Sequence, residues 1–390
     1  MSAARPLFHR KRKSVRGRRP WSRHQQSAHW GKRKWRHLNG VIAPEQNPDA
    51  NGSPIGAWNS PGTDETTMRI PNPDPGELWT DINMQLFGNF PNVPTIFNRL
   101  EQAGIDSWKI YFHDIAQAHT LLQLFLLGSH FQSYRQFQAD CQTGKLPAYS
   151  FIEPQYFADF GHPENDQHPP SVVTLGEQLI ADVYNCLRAS KLWRKTLLVI
   201  TYDEHGGCYD HVAPSTAVPP EPPVAGQTFG FDRYGVRVPA VVVSPYVEPG
   251  TIFGNSSAVP FDHTAIIATV RKRFGISEAL TARDAQAPDL DSVLTLARPT
   301  NLGPLRLKAL PYAPSPATAA VAQTKPLNSM QMGLVGLAAN LPPAPGSNLQ
   351  THLAKLKATR PQPAPPTALA SVHDARDYVK RQAGTYFQSP

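Results

Sequence analysis

The sequence predicts an α/β protein with a mostly parallel sheet between helices. Three observations carry this. The unit strand, polar loop, helix recurs along the middle of the chain, with His or an acid in each loop. Leu197, Leu198, Val199 and Ile200 form an unbroken apolar run, as expected of a strand buried on both faces. That run stops at Tyr202-Asp203-Glu204-His205 and turns at Gly206-Gly207, with Asp210 and His211 just beyond. Ligands in open α/β sheets bind beyond the carboxyl ends of the strands, so this stretch delivers two adjacent carboxylates and histidines to the expected place.

Taken in order, residues 1–40 read as a basic, disordered arm. They hold 13 of the 38 Lys and Arg and none of the 30 Asp and Glu, which leaves the rest with 25 basic and 30 acidic residues, a net of −5. The overall charge of +8 is therefore the arm's, and the body is mildly acidic. Trp21, Trp30 and Trp35 among the cations suit nucleic acid or an anionic membrane; a tail without an evolved role is the plainer alternative. Arg18-Arg19 is followed by no apolar segment, so no export signal is read, and no run approaches the ~18 apolar residues of a membrane span.

Residues 41–75 are rich in Pro, Asn, Gly and Ser and read as loop. Asp74, Pro75 and Glu77 have helix-start chemistry. Pro94–Leu100 begins an amphipathic helix that ends near Gly104, with Thr95 at its start. Trp108–Asp114 alternates like a strand and ends in His113 and Asp114. Residues 115–144 read as mostly helical, and Ser150–Phe157 as a short strand running into a loop with Glu153. Gly161–Pro170 is a loop carrying His162, Asp166 and His168. In Gly176–Ser190, the residues Leu179, Ile180, Val183, Tyr184 and Leu187 make one helical face. Arg237–Tyr246 is a second apolar strand, ending in Ser244, and Phe261–Gly275 is a helix with His263 near its start. Candidate site residues thus fall at strand ends: His113, Glu153, Asp203, Glu204 and Ser244.

The 40 prolines, about twice the usual share, mean long irregular connections. Residues 41–302 form the α/β region. Residues 303–390 are expected to be a Pro/Ala-rich linker with peripheral helices near Leu349–Leu356 and Ala370–Gln382. Cys141, Cys186 and Cys208 show no paired spacing, so neither a metal cage nor a disulfide framework is read.

Adjacent carboxylates repel, and a bound cation relieves the repulsion. Carboxylate oxygens suit hard cations, and an added histidine admits zinc. The structural alternative is a solvated acidic turn with a capping histidine.

SFIEPQYF, the NDQHPP loop, TYDEHGGCYDHVAP, FGFDRYGVRVPAVVVSPY and PFDHTAIIATVRKRFG, in this order, resemble motifs of the bacterial phosphoesterase family, which includes phospholipases C and an acid phosphatase. The similarity runs from about Asp74 to Pro304. It implies an alkaline-phosphatase-like α/β/α sandwich and metal-dependent hydrolysis of phosphoric esters, with a phospholipid head group or another phosphoric ester as substrate. It makes Asp203 and Glu204 ligands of a divalent metal (zinc, calcium or magnesium). It places His168, His113 and His205 in catalytic roles, and Glu77, His211 and His263 near phosphate or substrate.

The chain also departs from the family. Members open with a Glu-Asn-Arg-Ser-Phe-Asp-His segment that binds the metal, and none occurs here. Only Asn89–Val93 stands where members carry a Ser or Thr nucleophile, so no nucleophile is identified, and the sandwich is expected to be incomplete at its N-terminal end. Thr95 is the nearest hydroxyl, but it belongs to the helix start. Three functions are therefore expected: a phosphoric ester hydrolase, an inactive remnant that binds metal or anion weakly, or a binding module acting through the basic arm. Localisation is not readable.

Overall fold

The computed structural model describes residues 94–386 except 121, 160–162, 169–170, 206–207, 209, 221, 223–230, 255–258, 342–347, 349–350, 353, 356–368 and 370. The basic arm, Glu77 and the Asn89–Val93 segment lie outside the described residues.

The first helix, α1 (Ile96–Gln102), starts at a reciprocal cap. The Thr95 Oγ1 accepts the Asn98 N–H at 3.2 Å, and Asn98 Oδ1 accepts the Thr95 N–H at 2.8 Å. Strand β1 (Trp108–Phe112) follows, and its side chains alternate between two helical layers. Trp108, Ile110 and Phe112 face α1 and the later helix α4 (Thr264–Phe274). Tyr111 faces the opposite layer, and Lys109 reaches Asp140 at 2.8 Å on α2 (Tyr134–Thr143). Strand β2 (Phe131–Ser133) and strand β3 (Tyr149–Ile152) flank β1, both parallel to it, in the order β2-β1-β3.

The α2 helix ends at Gly144 in the left-handed region, φ +67°, where a Cβ would overlap the Lys191 side chain. The longer α3 (Val173–Ala189) packs beside α2. Strands β4 (Leu198–Thr201) and β5 (Ala240–Val243) form a separate antiparallel pair. Leu198 and Val243 pack on the α2–α3 layer, while Val199 and Val242 face Val247, Leu290 and Val293. Both sheets therefore lie over the same α2–α3 layer. The opposite layer is joined where the Leu290 N–H donates to Thr269 Oγ1 of α4 at 2.9 Å. The result is the expected α/β class, an α/β/α arrangement whose strands fall into two sheets.

The short α5 (Ala282–Gln286) precedes a long irregular stretch, then α6 (Pro316–Thr324), α7 (Ser329–Ala339) and α8 (Val372–Tyr386). Leu334, Val335, Ala338, Val372, Ala375 and Val379 are buried against Ile115, Tyr156 and Phe157. Ion pairs from Lys325 to the buried Glu164 and from Arg376 to Asp159 close the contact.

Two expectations are corrected. The helices beyond residue 303 are not peripheral where described, since α7 and α8 carry a buried cluster; of the expected Leu349–Leu356 helix, residues 351, 352, 354 and 355 are described, and they are helical. Residues 115–144 are mostly helical as expected, in two 3₁₀ stretches, Gln117–Thr120 and Leu122–His130, and α2; the three-residue β2 between them is too short to leave a periodic signal. Finally, β4 is only half-buried rather than covered on both faces. Among the described residues it has a strand neighbour on one side alone, and its partner's Val241 is 52 % exposed.

Candidate active site

The site is built where β1, β3 and β4 end. His113 follows β1 directly. Its Nδ1 lies 3.0 Å from the Glu153 carbonyl oxygen, and its ring stacks on Tyr134 with centroids 4.2 Å apart. A carbonyl only accepts, so Nδ1 carries the hydrogen and Nε2 presents a lone pair in the neutral ring. Burial holds the imidazole below its ordinary range, against the pull of the Glu153 carbonyl and Asp182.

Two buried carboxyls brace this corner. Asp114 accepts the N–H of Ile115, Tyr156 and Phe157. Glu153 accepts the N–H of Gln117 at 2.5 Å and Ala118 at 3.0 Å, and the Tyr156 hydroxyl at 3.1 Å. Burial pushes both up to about 7 against these donors. Burial, then Glu153 and Asp114, also raises the Tyr156 hydroxyl, and Asp203 contributes in the same direction.

Tyr202, at the end of β4, joins the other candidate loops. Its hydroxyl donates to Gln167 Oε1 at 2.5 Å, and its carbonyl accepts from His263 Nε2 at 2.7 Å. Gln167 has φ +62°, a conformation non-glycine residues adopt rarely and often near functional sites. His168 comes next, its N–H donating to Asp166 Oδ1 at 3.3 Å. Burial pushes the Asp166 carboxyl up to about 6.

The acid pair is exposed. Asp203 Oδ1 accepts the Glu204 N–H at 3.1 Å, and Glu204 Oε2 lies 3.4 Å from His205 Nδ1. Burial lowers the His205 imidazole, with Glu204 opposing. Among the described residues no three His, Cys, Asp or Glu side chains come together as a metal site. Asp203 and Glu204 have the chemistry of hard-cation ligands, but they do not form a cage with described neighbours.

His211 points to solvent. Its side chain is 83 % exposed, and Nδ1 lies 3.5 Å from Asp210 Oδ1. Asp210 is instead gripped by Arg237, whose Nε and Nη2 donate at 2.6 and 2.8 Å and hold the carboxyl down at about 2. Ser244 is corrected too. Because β5 runs antiparallel to β4, Ser244 ends up where β4 begins, donating to the Thr196 carbonyl at 2.8 Å. It lines a cavity of about 160 Å³ there with Trp193, Val243, Glu248, Thr251 and Asn301, away from Asp203. The Thr95 hydroxyl is committed to its cap, donating to Asn98 Oδ1 at 2.7 Å.

The sequence reading placed Asp114 at the strand end without a site role, and missed Tyr156, Gln167 and Tyr202 as parts of this corner. Of these three only Tyr202 left a signal, as an aromatic with a polar tip immediately before the acid pair.

Residues 80–277 match the phosphoesterase family, and this chain belongs to it. It is 36% identical to non-specific phospholipase C3 of Arabidopsis thaliana over 281 residues, which cover 68% of this chain and 52% of that protein. Non-specific phospholipase C6 of the same plant is 40% identical over 226 residues, 55% of this chain and 43% of that one. Phospholipase C B of Mycobacterium tuberculosis is 32% identical over 254 residues, 55% and 46% of the two chains. The chain spans about half the length of these relatives.

Proposed function

We propose that this protein hydrolyses phosphoric esters in the manner of a phospholipase C, taking a phospholipid head group or a related phosphoric ester. The family match, with relatives named phospholipase C, carries the reading. His113 supports it from the geometry. Its Nε2 accepts a proton from the attacking water, while the Nδ1–H to the Glu153 carbonyl fixes the ring and favours the imidazolium that forms. His168 stands on the strained Gln167 loop as the candidate to serve the leaving oxygen. His263 positions the end of β4 through the Tyr202 carbonyl. Asp203 and Glu204 are proposed to bind a divalent cation on the strength of carboxylate chemistry alone, and no step here depends on it.

A second reading is a relative that binds an anion or cation without turnover. Two observations favour it: the described residues bring no third ligand to the acid pair, and the Thr95 hydroxyl is held in its cap.

The test is hydrolysis of p-nitrophenylphosphorylcholine and p-nitrophenyl phosphate by the full chain. It is run with EDTA and with added zinc, calcium or magnesium, beside His113→Gln and Asp203→Ala. The proposal expects turnover that falls about 10²-fold or more in His113→Gln, with the circular dichroism unchanged. A folded protein with no rate above buffer under every cation establishes the second reading instead.

A further inference from the structure

The α2–α3 interface holds two thiols that the spacing of the sequence did not pair. The register between these helices is fixed by independent contacts. Asp182 Oδ2 on α3 accepts from the Tyr134 hydroxyl at 2.7 Å and from Gln138 Nε2 at 3.0 Å on α2. Past the C-terminal ends of both helices, Lys191 lies against Gly144. The helices therefore run alongside each other in the same direction, about 45 residues apart in sequence. One turn beyond Asp182 on α3 is Cys186 and one turn beyond Gln138 on α2 is Cys141, so the register sets the two side by side.

The two thiols face the same apolar interface. Both sit in the cluster of Phe137, Val183, Leu187 and Trp193. Cys141 is buried and Cys186 half-buried, and both are reduced in this structure. They differ in chemistry. The neighbouring Cys141 lowers the Cys186 thiol, while Cys186 and burial raise the Cys141 thiol. A lowered, partly accessible thiol is the nucleophile in disulfide exchange, and a buried neighbour is suited to resolve the adduct.

We infer that Cys141 and Cys186 are a dithiol site that a small-molecule disulfide oxidises to a covalent α2–α3 staple. The Cys186 thiolate attacks one sulfur of the reagent, forming a mixed disulfide and releasing one thiol. Cys141 then gives up its proton, attacks the Cys186 sulfur, and releases the second thiol. Two protein thiols are oxidised and one disulfide is reduced to two thiols, so atoms and electrons balance. The staple closes a loop that contains β3, the 163–168 segment with His168, and most of α3. It thereby fastens the His168 loop to the helical layer beneath both sheets.

The full chain is treated with oxidised glutathione near pH 8, alkylated and mapped by mass spectrometry, beside Cys141→Ser, Cys186→Ser and Cys208→Ser. The inference expects a chain lighter by two hydrogens, with a 141–186 linked peptide, in the wild type and in Cys208→Ser. Cys141→Ser should stop at a glutathione adduct on Cys186. Closing a loop of this length should raise the melting temperature by roughly 5–10 °C, reversed by dithiothreitol. Retention of both thiols overturns the inference, as does a lasting Cys186 adduct in the wild type or a link that uses Cys208.

Discussion

Replacing Asp114 by Asn tests how the carboxyl at the end of β1 is used. Its Oδ1 accepts the Ile115 N–H at 3.0 Å, and its Oδ2 accepts those of Tyr156 and Phe157 at 2.9 and 2.7 Å. An amide has a single oxygen. Whichever way it turns, its NH₂ faces at least one of the three donors. A buried donor left without an acceptor costs about 1–3 kcal/mol. The better orientation strands one, so Asp114→Asn should lose about 1–3 kcal/mol at pH 5, where the wild-type group is neutral. Asp114→Ala strands all three and should lose about three times that.

The pH dependence gives a sharper check. Burial raises the folded carboxyl to about 7 from an ordinary 3.8, so the folded state holds this proton more tightly than the unfolded chain. The group's contribution is full below about pH 4 and is lost as the pH rises through 7. Asn does not titrate. The gap between wild type and variant should therefore narrow from pH 5 to pH 8, by at most about 2–3 kcal/mol. Glu153, also raised to about 7, titrates in both proteins and cancels to first order. Urea unfolding followed by tryptophan fluorescence at the two pH values measures the gap. A gap that widens towards pH 8 would mean that the three N–H donors outweigh burial, and would refute the reasoning.

Three further outcomes are expected. Tyr202→Phe removes the hydroxyl on Gln167 and should cost about 1 kcal/mol, with hydrolysis falling while the circular dichroism is kept; an unchanged rate would separate the Gln167 loop from the chemistry. Arg237→Ala should return the Asp210 carboxyl from about 2 to the ordinary range near ~4, read by NMR titration. Asp210 is a lowered acid, so its contribution is present above the ordinary value and lost as the pH falls towards 2. Because Arg237 is more than half exposed, the stability change at pH 7 should stay below about 1 kcal/mol. Val379→Ala empties a fully buried position against the 156–158 segment and should cost about 1–3 kcal/mol in urea unfolding.

The elements with a clear period were legible in the sequence. The β1 alternation, the apolar face of α3 and the cap of α1 all follow from local spacing, and the family was carried by motifs in order. What escaped was set by partners far away in the chain. Nothing in Leu198–Thr201 tells a strand with neighbours on both sides from one with a single antiparallel partner, and that difference moved Ser244 to the wrong end. The Pro/Ala-rich composition after residue 303 hid a buried face because Val335, Ala338, Val372 and Ala375 are small, and they bury only by fitting Tyr156 and Phe157. The histidines were found as residue types. Their roles were not, because a carbonyl such as that of Glu153 or Tyr202, which fixes the tautomer, leaves no mark in sequence.

Backbone hydrogen bonding stops at β3 and resumes at β4, although one helical layer underlies both sheets. In mechanical terms the described body has a seam, and across it the two sheets share the side chains packed on this layer. Tyr111 and Ile152 grip the layer from one side and Leu198 and Val243 from the other. Amide exchange should mark that line, with fast protons along the outer edges of β3 and β4 beside slow ones in β1. Among the described residues β3 and β4 each keep one edge without a strand neighbour, a row of donors and acceptors of the kind to which an extended segment can add.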